Sequence, residues 1–108
     1  MLTLGAKIYF HTKQENSDAL DNDLDTNNII RPAINFGDGL LFSGTIKVND
    51  KVECIKRGEF YDAMIEFPTI KEEAFEVIRN YLIDKTIFNI QIASKVIGKC
   101  DMIDYRYK

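Results

Sequence analysis

Turn signals recur so often along this chain that few of the runs between them could form a helix of ordinary length. Gly37-Asp38-Gly39, Asn49-Asp50, Arg57-Gly58-Glu59 and Ala93-Ser94-Lys95 separate segments rich in strand-forming residues. Leu4–Phe10 opens the series, with Ala6, Ile8 and Phe10 spaced to share one face. Ile29–Phe36 resumes an extended pattern. Its Pro32 removes a ladder donor and holds Arg31 extended, which suits a strand start or an edge. Leu40–Val48 reads as one strand in which Gly44 marks a bulge or a close backbone approach. Val52, Cys54 and Ile55 suggest a further short strand, Phe60–Phe67 another that ends at Pro68, and Thr86–Tyr105 a closing hairpin.

Only one stretch has helical spacing. Thr69-Ile70-Lys71-Glu72 has the form of a capping box, and Ile70, Ala74, Val77, Ile78, Tyr81 and Leu82 recur at three- and four-residue intervals. The spacing predicts a helix over residues 70–82. About seven strands and one inserted helix define a mostly β chain, a small barrel or sandwich. At 108 residues, with no repeat or linker-like stretch, the chain is expected to form a single domain over residues 1–108.

Composition sets the function classes. Hydrophobic residues make up 45% and charged residues 29%, the balance of a protein that folds around a core without needing disulfides or a structural metal. The formal net charge is −3 and the pI near 5.1, so attraction to phosphate polymers is not built in. The acidity is local. Residues 14–28, QENSDALDNDLDTNN, hold five of the seventeen acidic residues, no basic residue and three apolar ones, which predicts a solvated, mobile loop. Cys54 and Cys100 are too few for a disulfide framework and follow no CxxC spacing, so they read as reduced thiols in the cytoplasm. No apolar run approaches the length of a membrane span, and the first residues lack the pattern of an export signal.

Motifs for chemistry are sparse. His11 is the single histidine and reads as a strand-end residue; Cys54 and Cys100 read as strand cysteines. A small enzyme pairing His11 with either thiol is the least supported class. Asp21, Asp23 and Asp25 reproduce the start of a calcium loop, but Thr26 and Pro32 stand where its glycine and bidentate glutamate belong, so no metal or other cofactor is expected. Neither GxxxxGK[ST] nor a helix-opening GxGxxG is present. The large rings of Tyr9, Phe36, Phe60, Phe67, Phe88 and Tyr105 are expected in the core or a protein interface, with exposed stacking or interface positions the alternative for Tyr61, Tyr105 and Tyr107.

The order of features resembles the third, C-terminal β-barrel domain of elongation factor Tu, in particular short bacterial stand-alone proteins with that domain. The residues that carry the likeness are Ala6-Lys7-Ile8-x-Phe10, Ile30-Arg31-Pro32-x-x-x-Phe36, and the closing Phe88–Cys100 segment, FNIQIASKVIGKC. Asn28-Ile29-Ile30, the acidic loop and the helix depart from the family pattern. The resemblance implies a non-catalytic binding barrel, since the domain it matches carries no GTPase.

The expected function is therefore protein binding, in the manner of an immunity or antitoxin-like inhibitor of a basic partner. Asp18, Asp21, Asp23 and Asp25 are the first contact candidates, with Arg31 and Lys95 as further partner-binding residues. The alternative is a translation-factor-like accessory module for tRNA, the ribosome or another factor, using Arg31, Lys56, Arg57, Lys95 and Lys99.

Overall fold

The computed structural model describes residues 1–83 and 86–108. The described residues form nine strands: β1 (Leu2–Phe10), β2 (Leu24–Asp25), β3 (Ala33–Asn35), β4 (Leu41–Ser43), β5 (Thr45–Val48), β6 (Cys54–Ile55), β7 (Phe60–Phe67), β8 (Ile87–Ile92) and β9 (Lys95–Tyr107). One helix, α1 (Glu72–Ile78), follows β7 and runs into a 3-10 turn at Arg79–Tyr81. The chain is mostly β, as expected.

Seven strands form one curled antiparallel sheet, a half-barrel in the order β4-β3-β8-β9-β1-β7-β5. Its end strands, β4 and β5, are consecutive in the chain and meet at Gly44. The Gly44 N–H donates to Pro32 O at 3.0 Å and the Ile46 N–H to Ile30 O at 2.9 Å, so the lead-in to β3 also pairs with β5 and ties the two edges together. The single strand expected over Leu40–Val48 is thus split. A Cβ at Gly44 would lie 2.6 Å from the Ile65 side chain and 2.7 Å from the Phe67 ring, so only glycine lets the chain bend across them.

Alternation fills the interior. Leu2, Leu4, Ala6, Ile8 and Phe10 all point inward from β1, where they meet Ala63, Ile65 and Phe67 of β7 and Cys100 and Met102 of β9. Ile34, Phe36, Phe88 and Ile90 complete the opposite wall. Phe36 is the aromatic hub, with ring centroids 5.2 Å from Phe67, 5.1 Å from Phe88 and 6.2 Å from Phe42. Not every large ring is inside: Phe60 and Tyr105 are exposed and Tyr9 is half-buried, whereas Phe36, Phe67 and Phe88 are buried.

The helix is shorter than the spacing predicts. Thr69 makes no cap: the Ile70 N–H closes a turn onto Phe67 O, and the helix starts after Lys71, which offers no side-chain cap bond either. Ile70 and Leu82 are buried from the turns that flank α1, so the apolar spacing runs beyond the helical backbone. Ile78 is the one fully buried residue within α1, while Val77, expected on the inner face, is half exposed.

The acidic segment departs most from its expectation. Rather than only a solvated loop, it contains β2, which pairs with β6 as a two-stranded sheet. Ala19 is buried, and Leu20 and Leu24 pack against the core.

Candidate functional site

Three threads come together at the barrel end where β1 finishes. The acidic segment is tied down first. The Asn16 side-chain amide donates to Val96 O at 2.8 Å, which fixes the segment to the β8–β9 hairpin. Arg57 then anchors its middle: the guanidinium Nε and the backbone N–H both donate to Asp23 Oδ1 at 3.0 Å, and Nη1 donates to Leu20 O at 2.7 Å. Finally, the Thr26 hydroxyl donates to Val52 O at 2.6 Å.

The fold thereby leaves a groove of about 520 Å³ between β2, the Ile29–Pro32 lead-in and the β8–β9 hairpin. Phe10, Leu20, Leu24, Ile30, Ile92 and Ile97 give it an apolar lining, and Asp23, Asp25 and Arg31 supply its charge. Ile29 is 75% exposed and Ile92 51% exposed, so both present apolar surface at the groove. Exposed isoleucines converging on one concavity differ from single apolar residues scattered over a surface.

Of the six predicted partner-binding residues, the groove brings together Asp23, Asp25 and Arg31. Lys95 stands beside it, opposite Ile92 in the hairpin register. Asp18 follows the anchored Asn16, whose Oδ1 accepts its N–H, and is exposed. Asp21 reaches Lys13 at 3.1 Å. The aspartates are not an array aimed at one ion. Asp23 is engaged by Arg57, Asp25 Oδ1 accepts the Asn27 N–H at 2.9 Å, and no group of three or more His, Cys, Asp or Glu converges as a metal site among the described residues.

Electrostatics follow from these bonds. The Arg57 backbone N–H, then its guanidinium, hold the Asp23 carboxyl below the usual carboxylate range. A carboxylate with a depressed folded-state pKa stabilises the fold above its ordinary value, and that contribution is lost as the pH falls through the lower folded value. Asp23→Asn is therefore expected to lower the melting temperature at neutral pH, with the gap to wild type closing once the pH falls below the ordinary 3.8. Melting curves across that range check it; coincident curves at neutral pH would contradict the anchoring role.

Glu15 is held low in the same way, by the Thr12 N–H first and the Tyr9 hydroxyl second. Tyr9 is correspondingly raised, mainly by its bond to Glu15. On this outer face the Lys99 ammonium lies 5.2 Å from the Tyr9 ring centroid and 5.4 Å from that of Phe60.

The groups considered for nucleophilic chemistry sit on different elements. His11 follows β1, its Nδ1 3.3 Å from the Asn16 amide. Cys54 is exposed on β6 opposite Asp25. Cys100 is buried beside Ile8, and burial pushes its thiol up to about 12, far from a thiolate at neutral pH.

Two residues central to the groove were missed in the sequence. Consecutive residues of a strand face opposite ways, so the adjacent pair Ile29-Ile30 requires one of them to point outward. That signal was available. Ile92 gave none, because an irregularity between Ile90 and Gln91 reverses the alternation, burying Gln91 and exposing Ile92. No protein-family model matches the chain, and no curated protein matches it.

Proposed function

We propose that this chain is a non-catalytic protein-binding β-barrel module, similar in kind to the third domain of elongation factor Tu, that takes its partner at the groove between β2 and the β8–β9 hairpin. The observation that carries the reading is the exposure of Ile29 and Ile92 at an apolar concavity flanked by charge. Apolar anchors surrounded by polar groups are the usual energetic centre of a protein interface. Asp18, Asp21 and Asp25 add a negative rim that steers a basic partner, as an immunity or antitoxin-like inhibitor would. Asp21 and Asp23 contribute less to that steering, because Lys13 and Arg57 already pair with them. Both cysteines are free, which fits a reducing cytoplasm. No described helix is long and apolar enough to cross a membrane.

A second reading rests on a different surface. Lys99 over the exposed ring of Phe60 and that of Tyr9 offers cation and π-face together, the combination on which single-stranded bases stack. It favours the translation-factor-like module, with Lys56 and Lys95 exposed and Arg57 unsuited to phosphate because it is spent on Asp23 and Leu20.

Capture of the tagged protein from its native cells, with and without nuclease, separates the readings. The first predicts a nuclease-resistant basic protein whose affinity falls about tenfold at low salt when Asp18, Asp21, Asp23 and Asp25 are changed to Asn. Unchanged affinity removes the acidic rim from the interface. Ribosomal or tRNA-associated material that disappears with nuclease would put the second reading first.

A further inference from the structure

The last third of β9 is half-used. β8 runs beside β9 only as far as Asp101, and the Met102 N–H still reaches Thr86 O at 3.0 Å. Beyond that point Ile103 is a bulge with no partner on β1, and Asp104–Tyr107 pair with β1 on one side and, among the described residues, with nothing on the other. The rings along this extension are held from within: Tyr107 stacks on Phe75 of α1 at 4.0 Å between centroids, with planes 9° apart, and Tyr105 lies 6.4 Å from the same ring. Ile103 and Tyr105 nevertheless remain about half exposed, at 52% and 44%. The result, among the described residues, is an open strand edge, a surface that pairs readily with another strand.

The sequence of that edge says which strand. Edges are commonly protected by charged side chains, and like charges set opposite one another repel a second copy. Here the two charges, Asp104 and Arg106, are opposite in sign, two residues apart, exposed and without an ion-pair partner among the described residues. They flank Tyr105. An antiparallel pairing of two copies centred on Tyr105 places Asp104 of each opposite Arg106 of the other, and Ile103 opposite Tyr107. A shift of one residue in either direction loses both charge pairs. In the single chain the Asp104 carboxylate leans over Gly5 of β1, in the space a side chain there would fill, and pairing requires it to turn toward the second copy.

We propose that the Ile103–Tyr107 edge of β9 is a self-association surface, joining two copies of this chain about a two-fold axis through Tyr105. A five-residue edge is small for an interface, so the dimer is weak and concentration-dependent. It uses a different strand face from the groove and stands whether or not the groove binds a partner.

The test is a charge exchange read by sedimentation equilibrium into the high-micromolar range, with circular dichroism as a folding check. Wild type is expected to dimerise. Asp104→Arg alone sets Arg against Arg106, and Arg106→Asp alone sets Asp against Asp104, so each should weaken self-association about tenfold. Mixing the two single variants restores both pairs, so a heterodimer is expected at wild-type affinity, and the double exchange Asp104→Arg/Arg106→Asp should self-associate again. A wild type that stays monomeric throughout, single variants that dimerise as wild type does, or a mixture that fails to associate while both variants are folded would each overturn the proposal.

Discussion

Phe36→Ala is expected to lower the free energy of unfolding by about 3–5 kcal/mol. Phe36 is 2% exposed and its ring touches three others, from β4, β7 and β8, so it joins walls of the barrel that no single pair of strands connects. Removing it forfeits the transfer energy of the ring and leaves a cavity that strands tied edge to edge cannot close. A domain of this length has a total stability of roughly 5–15 kcal/mol, so the variant would lose a large fraction of it. Urea denaturation of Phe36→Ala beside Phe60→Ala measures the contrast. Phe60 is 56% exposed, and its loss is expected to cost no more than about 0.5–1 kcal/mol, the worth of its contacts with Tyr9 and Lys99. A Phe36→Ala loss as small as that of Phe60→Ala would mean that the core is not organised around this ring.

The mostly β architecture was legible because its signals are local. The inward face of β1 follows from alternation alone, β7 has the bounds that Phe60 and Pro68 imply, and the closing hairpin turns at Ala93-Ser94 as its composition suggests. The expectations that failed depended on contacts between distant segments. Gly44 splits a strand because Ile65 and Phe67, about twenty residues away, occupy the space of its side chain. The helix spans only Glu72–Ile78, with Ile70 and Leu82 buried from the turns that flank it, a pattern that helical periodicity does not distinguish from a longer helix. The acidic segment gains structure from Arg57 and Ile55, and neither lies near it in the chain.

The candidate site was half legible for the same reason. Asp23, Asp25 and Arg31 stood out by charge and do line the groove, but charge alone gave Asp23 and Arg57 functions facing outward, whereas each satisfies the other. The apolar half was only partly visible. Ile29 is one of an adjacent apolar pair whose outward member alternation leaves undecided, and Ile92 is exposed only because the strand irregularity after Ile90 turns Gln91 inward.

The groove is the central claim, and it predicts the largest functional effect. Ile29→Asp and Ile92→Asp each place a carboxylate on an already exposed position, so the fold should tolerate both, with melting temperatures close to wild type. An apolar anchor buried at the centre of an interface is worth about 2 kcal/mol or more, so each change should weaken partner binding by at least about thirtyfold, and the pair should abolish it. Titration calorimetry of wild type and both variants against the nuclease-resistant partner is the direct measurement. Loss of affinity in folded variants is the predicted result; affinity equal to wild type in the Ile29→Asp/Ile92→Asp double variant would show that the partner binds elsewhere on the barrel.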